Sequence, residues 1–249
     1  MMEVYLYEEG FDNLLSLIVE LIKIKRKPYD IKEINSYEKN LLEEEIFLKI
    51  KNKQENIKEI KRVVSNNILN SIYYVYLSNH PKKEIMIYTF LLVSLKYKDT
   101  VFYQRRLNCV NEVIKTVKRV KQEAHKLKGF LRFEEMKNNI YYGKISPDNN
   151  VIEILSNHFR ERLKQEYWII HDTNRGILSI YDKKQVYYLT NQEFKNISLE
   201  KDKKEIEIEE LWKTFHQTVA IKERENKRCQ QNFMPKKYWK NMLEMEKEL

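Results

Sequence analysis

EAHKLKGFLRFEEMKNNIYYGKISPDNNVIEILSNHFRERLKQEYWIIHDTNRG, residues Glu123–Gly176, is the stretch on which the fold turns. Phe130–Glu134 alternates apolar and polar residues, and Ile140-Tyr141-Tyr142 resumes a strand pattern after the Lys137-Asn138-Asn139 turn, so the spacing predicts a hairpin. Pro147-Asp148-Asn149-Asn150 supplies start signals for a helix from Val151 to about Lys164. Tyr167–Asp172 and Gly176–Asp182 form a second hairpin pattern with Thr173-Asn174-Arg175 at its turn, and Gln185–Leu189 is a further strand candidate. Short hairpins interleaved with helices give an α+β fold class. The stretch also carries Arg132, Glu134, His158, Arg162, His171, Asp172 and Arg175 inside or beside apolar runs. Burying such groups costs several kcal/mol unless they are paired or used, so the functional site is expected here.

Upstream, Val113, Val117, Val120, Ala124 and Leu127 repeat at alternating steps of four and three, which defines a helix. Lys115, Lys118, Arg119, Gln122 and Lys126 fall on its other side, and Gly129 is placed to end it. From Lys115 to Arg132 there are seven basic residues and one acid, Glu123. Such a helix packs by one face and offers cations to phosphates on the other; a solvated lysine-rich face is the alternative. Nearer the start, Glu3–Tyr7 and Glu45–Ile50 are strand candidates, Phe11–Lys25 is a helix, and Gln54–Lys96 reads as three helices. His80, before Pro81, reads as a turn residue. A boundary near Tyr97–Gln104 divides a mostly helical N-terminal subdomain with two short strands, 1–104, from a C-terminal α+β domain carrying the site, 105–249. Downstream, Ile206–Glu223 is a helix with Leu211, Trp212, Phe215 and Val219 on one side, expected to close the fold. Tyr238 and Trp239, in the basic tail 222–240, are expected on the protein's own core or stacked on bases.

The formal charge is +9. Residues 1–110 carry 18 basic and 15 acidic groups, the remainder 28 and 22. The excess favours nucleic acid or an anionic surface. Two distant cysteines, Cys109 and Cys229, exclude a disulfide framework or a cysteine metal cluster on this chain alone. No membrane span or signal pattern is visible, so a cytoplasmic location is expected. Phosphate-binding glycine loops, nucleophile elbows and the radical-SAM cysteine triad are missing, and no cofactor is expected. Arg132, Arg162 and Arg175 are candidate phosphate forks, or else pair internally with Glu134, Glu161 or Asp172. His158, His171, Asp172 and Glu134 are the catalytic candidates. No short ligand spacing supports a metal, and His171 and Asp172, as strand neighbours, are expected to face opposite ways.

KGFLRFEE at Lys128–Glu135, preceded by Glu123-Ala124-His125, resembles the signature of an uncharacterised bacterial family associated with DNA repair. HFRERL at His158–Leu163, WIIHDTNRG at Trp168–Gly176, and the run from Trp212 through IKERENKRCQQNFMPKKYW are similar to it as well. The resemblance spans nearly the whole chain and is strongest from residue 113 onward. It departs at Glu8-Glu9, where the family has Asp-Gly, and at Asn13, where glycine is common. Family members are encoded beside a DNA-modification radical-SAM protein, and a related domain is sometimes fused to a uracil-DNA glycosylase-like domain. The resemblance implies a DNA-repair context without assigning catalytic residues. The leading expectation is a DNA-binding accessory to a radical-SAM partner, with Lys115, Lys118, Arg119, Lys126, Lys128, Arg132, Arg162 and Arg175 as the nucleic-acid contacts. A nuclease or base-processing enzyme, with or without a metal, using His158, His171 and Asp172 is the second, and a protein scaffold without DNA contact the third.

Overall fold

A computed structural model describes residues 2–50, 52–137, 139–194, 200–219 and 221–245. Strand β1 (Met2–Tyr7) leads into helix α1 (Phe11–Lys23) through Gly10, whose φ of 118° is open to glycine and strained for other residues. Leu14, Leu15, Leu17, Ile18 and Leu21 of α1 are all fully buried, so this helix is the centre of the first core. Strands β2 (Asp30–Glu33) and β3 (Glu43–Ile46) pair with β1 on either side, both in parallel. Of the strand expected at Glu45–Ile50 only Glu45 and Ile46 lie in β3, whose other residues are Glu43 and Glu44, so the pairing with β1 begins ahead of the apolar alternation. Strand β2 is an addition: only Ile31 within it is fully buried, too little pattern to mark a strand. Helices α2 (Lys53–Val63), α3 (Asn66–Tyr76) and α4 (Lys83–Tyr97) complete the layer, α3 being capped by the Ser65 hydroxyl accepting from the Ile68 amide.

Helix α5 (Asn108–Phe130) is longer than the apolar repeat alone predicts, and Gly129 lies in its last turn rather than beyond it. The chain divides into two compact units within this helix, 1–121 and 122–249, and residue 104 falls inside the first.

In the second unit, strands β4 (Phe133–Met136) and β5 (Ile140–Ile145), helix α6 (Ile152–Arg162), and strands β6 (Tyr167–Asp172), β7 (Ile177–Tyr181) and β8 (Val186–Thr190) follow in order. The sheet runs β4-β5-β6-β7-β8. Among the described residues its one parallel pair is β5 with β6, joined through α6, and antiparallel pairing extends it at each side. Gly176, at φ 66°, makes the β6–β7 turn. Helix α6 lies on the face that carries Ile170 and Ser179: Ser156 donates to Ser179 at 2.6 Å, and Phe159 meets Phe133 edge-on at 5.1 Å. Trp168, fully buried on that face, stacks on Tyr181 at 5.2 Å. Short helix α7 (Asn191–Phe194), helix α8 (Lys203–Val219) and helix α9 (Lys227–Phe233) follow, and a last segment brings Tyr238, Trp239, Met242 and Met245 into the unit's interior. The whole is a mixed α+β fold.

The terminal aromatics thus serve the protein's own core. Helix α8 departs from expectation in the opposite sense. Its stripe of Leu211, Trp212, Phe215 and Val219 is exposed, for reasons that concern its other face.

Candidate nucleic-acid interface

At 3.6 residues per turn, the five apolar positions of α5 from Val113 to Leu127 share one side. Val113, Val120, Ala124 and Leu127 are buried. The same geometry sends Lys115, Lys118, Arg119 and Lys126 the other way, along a helical ridge of about 16 Å at ~1.5 Å per residue. Lys115, Lys118 and Arg119 are exposed and Lys126 is half-buried. Among the described residues none of the four makes an ion pair, so their charges are available to an outside anion. The neighbouring Lys121 is also exposed, its ammonium 4.7 Å from the centre of the Tyr74 ring.

A smaller cationic patch gathers about His158 on α6. Burial holds its imidazolium below the usual range, and Lys128 and Arg162 push it further down. Arg162, one turn from His158, is exposed and without an ion pair among the described residues. Glu161, the nearest acid in sequence, instead engages Lys164 at 3.0 Å and Arg160 at 3.6 Å.

Two of the candidate forks turn inward. Arg132 donates to the Gly129 carbonyl at 2.8 Å and to Glu244 at 2.7 Å, and that carboxylate is only 6% exposed. Arg175 donates to Asp172 and to the Pro147 carbonyl at 3.0 and 3.1 Å, and to the Asp148 carbonyl. Both guanidinium groups are thus engaged by acids and carbonyls of the fold, the internal pairing that was the alternative to phosphate binding.

The catalytic candidates do not converge either. Asp172 is fully buried, accepting from the Asn174 and Arg175 amides as well as the Arg175 side chain. It therefore braces the turn that follows it. His171 faces the opposite side of the sheet, where the Tyr142 hydroxyl lies 2.7 Å from its Nδ1. Burial holds the His171 imidazolium low; Lys144 adds to this, while Asn191 and Asp172 oppose it. Since α6 covers the Asp172 face, His158 and His171 sit on opposite sides of the sheet. Glu134 shares the His171 face but is tied to Lys201 at 3.1 Å. Among the described residues no three His, Cys, Asp or Glu side chains are grouped to hold a metal ion.

One buried group escaped sequence reading as a functional element. Glu123, the lone acid of the basic helix, is 5% exposed and accepts from the Asp148 and Asn149 amides at 3.1 and 2.8 Å. The Asn149 side chain, the Lys237 ammonium and the Tyr238 hydroxyl complete its shell. Burial pushes this carboxyl up, but Lys237 and the two amides outweigh burial and leave it below the ordinary range. Lys237 also engages Asp148, and these acids hold its ammonium above the usual lysine range against the effect of burial. The node ties α5 to the 146–149 loop and the C-terminal segment. Its members lie 25 and 114 positions apart in the chain, so no local spacing announces them.

Glu123, Arg132, Asp172, Arg175, Lys237 and Tyr238, which make several of these ties, fall in stretches quoted above for their resemblance to a known family. Residues 81–244 match a family described as a domain of unknown function, DUF4130, and since the match covers more than half of the chain, the protein belongs to that family. No curated protein matches it.

Proposed function

We propose that this member of the DUF4130 family binds nucleic acid through the outer face of α5. The observation that carries the reading is the ridge of Lys115, Lys118, Arg119 and Lys126, which points away from the core and, among the described residues, has no acid paired with it. Four cations in a row on one helix suit a run of phosphates, and binding of this kind is governed by counterion release. Lys128 and Arg162 beside His158 supply a second anion contact. The resemblance in Lys128–Glu135, His158–Leu163 and Trp168–Gly176 supports DNA as the polymer and repair or modification as the process, with the protein an accessory to a radical-SAM enzyme. Catalysis by His158, His171 and Asp172 receives no support from their placement on two sides of a sheet.

Fluorescence anisotropy with labelled single-stranded and duplex DNA tests the proposal. Binding that weakens with the combined alanine replacement of the four ridge cations is the expected outcome. Absence of binding at low salt, or binding indifferent to those replacements, overturns it.

A further inference from the structure

Helix α8 is amphipathic with its polar side turned inward. Lys201, just ahead of it, pairs with Glu134 of β4 at 3.1 Å and with Glu209 of α8. Glu209 is 13% exposed, Glu205 on the same side is half-buried, and α8 rests on β4 and on the Leu243–Met245 turn. This anchoring rotates the apolar side outward: Ile208 is 54% exposed, Leu211 68%, Trp212 41%, Phe215 56% and Val219 59%. The positions 208, 212, 215 and 219 step by four, three and four, the spacing with which one helix seats another. Five half-exposed large side chains leave on the order of 500 Å² of contiguous apolar surface, at the upper end of what monomers tolerate.

We propose that this face of α8 is the two-fold interface of a homodimer, α8 of one copy lying antiparallel on α8 of the other. Two such faces brought together bury on the order of 1,000 Å², the size at which an interface becomes specific. A single helix stripe offered to its own copy is self-complementary, as a closed two-fold contact requires. The stripe itself carries no charge to repel its twin. A lipid surface is a poor occupant, because exposed Glu207 borders the stripe and Lys204 lies one turn ahead of Ile208, a border of mixed sign where a membrane-surface helix carries Lys and Arg.

Sedimentation velocity of the full chain across the micromolar range, without nucleic acid, tests this independently of DNA binding. The wild-type protein is expected to sediment as a dimer, and Leu211→Glu and Phe215→Glu are each expected to weaken dimerisation by more than ~30-fold, as loss of a central anchor does. Far-UV circular dichroism of the variants checks that the helices are retained, and Phe215→Ala, which adds no charge, is expected to weaken the dimer in the same direction. A wild-type monomer throughout, a dimer insensitive to all three substitutions, or a monomer that takes up vesicles or another protein through this face overturns the proposal.

Discussion

Glu123 shows how a carboxylate is held charged in an interior: five donors surround it, and their favourable fields exceed the cost of burial. Removing it strands two backbone amides and leaves Lys237 with Asp148 as its one acid, so Glu123→Ala is expected to cost about 2 kcal/mol in urea unfolding. Because its folded pKa lies below the ordinary glutamate value of 4.5, its contribution is complete above that pH and is lost as pH falls through the folded value. The stability gap between wild type and Glu123→Gln is therefore expected to narrow in melts below about pH 4.5, and a gap constant with pH would contradict the assignment. Glu84 has the opposite sign. It is buried, accepts from the Tyr7 hydroxyl at 3.3 Å, and burial raises its pKa above 4.5. Its ionisation costs stability as pH rises through and above 4.5, so Glu84→Gln, which keeps an acceptor for Tyr7, is expected to raise Tm at neutral pH and not at acid pH. These two carboxylates were equally silent in the sequence. Whether a glutamate faces five donors or one phenol depends on partners far along the chain, which periodicity does not record.

Elements were read more securely than their surroundings. The strand patterns at Ile140-Tyr141-Tyr142 and Tyr167–Asp172 mark real strands, the second buried on both faces at Trp168, Ile169 and Ile170, whereas the alternation at Phe130–Glu134 begins in the last residue of α5, ahead of β4 at Phe133. Strand β2 left no such mark, having one buried side chain. In α8 the apolar stripe was visible and its direction was not: periodicity says that a face is apolar, and the Lys201 ion pairs decide which way it turns. Within the second sheet, β5 has little room to spare at Gly143. A Cβ there would meet the Leu131 Cδ1 at 2.6 Å, the Arg132 carbonyl oxygen at 3.1 Å and the Phe133 ring at 3.2 Å. Gly143→Ala is expected to destabilise the protein by roughly 1–3 kcal/mol by chemical denaturation, since backbone as well as side chains must give way. On α5, single Lys115→Ala or Arg119→Ala substitutions leave the packed face untouched; each is expected to weaken DNA binding about equally for all sequences and to flatten its salt dependence by ~0.9 in the logarithmic slope.

Over the whole chain, a formal charge of +9 says only that an anionic partner is favoured. The fold makes that statement local. It takes Arg132, Arg175 and Lys237 into internal pairs and leaves Lys115, Lys118, Arg119 and Lys126 facing out on one helix. The Arg175–Asp172 pair, three positions apart, was among the alternatives the sequence left open, but Glu244 and Glu123 are made partners by tertiary packing, each more than a hundred positions from its cation. Among the described residues no helix is long and apolar enough to cross a membrane, so the charge is not that of a membrane-span flank there. The most direct measurement is the dissociation constant for a short duplex as a function of salt, for the wild type and for the protein with all four ridge cations replaced by alanine. Four phosphate contacts give a slope of about −3.6 in log affinity against log salt, a loss on the order of a hundredfold between 50 and 200 mM, and the quadruple variant should lose most of that slope. A wild-type slope near zero, or the same slope in both proteins, would contradict the assignment of α5 as the nucleic-acid interface.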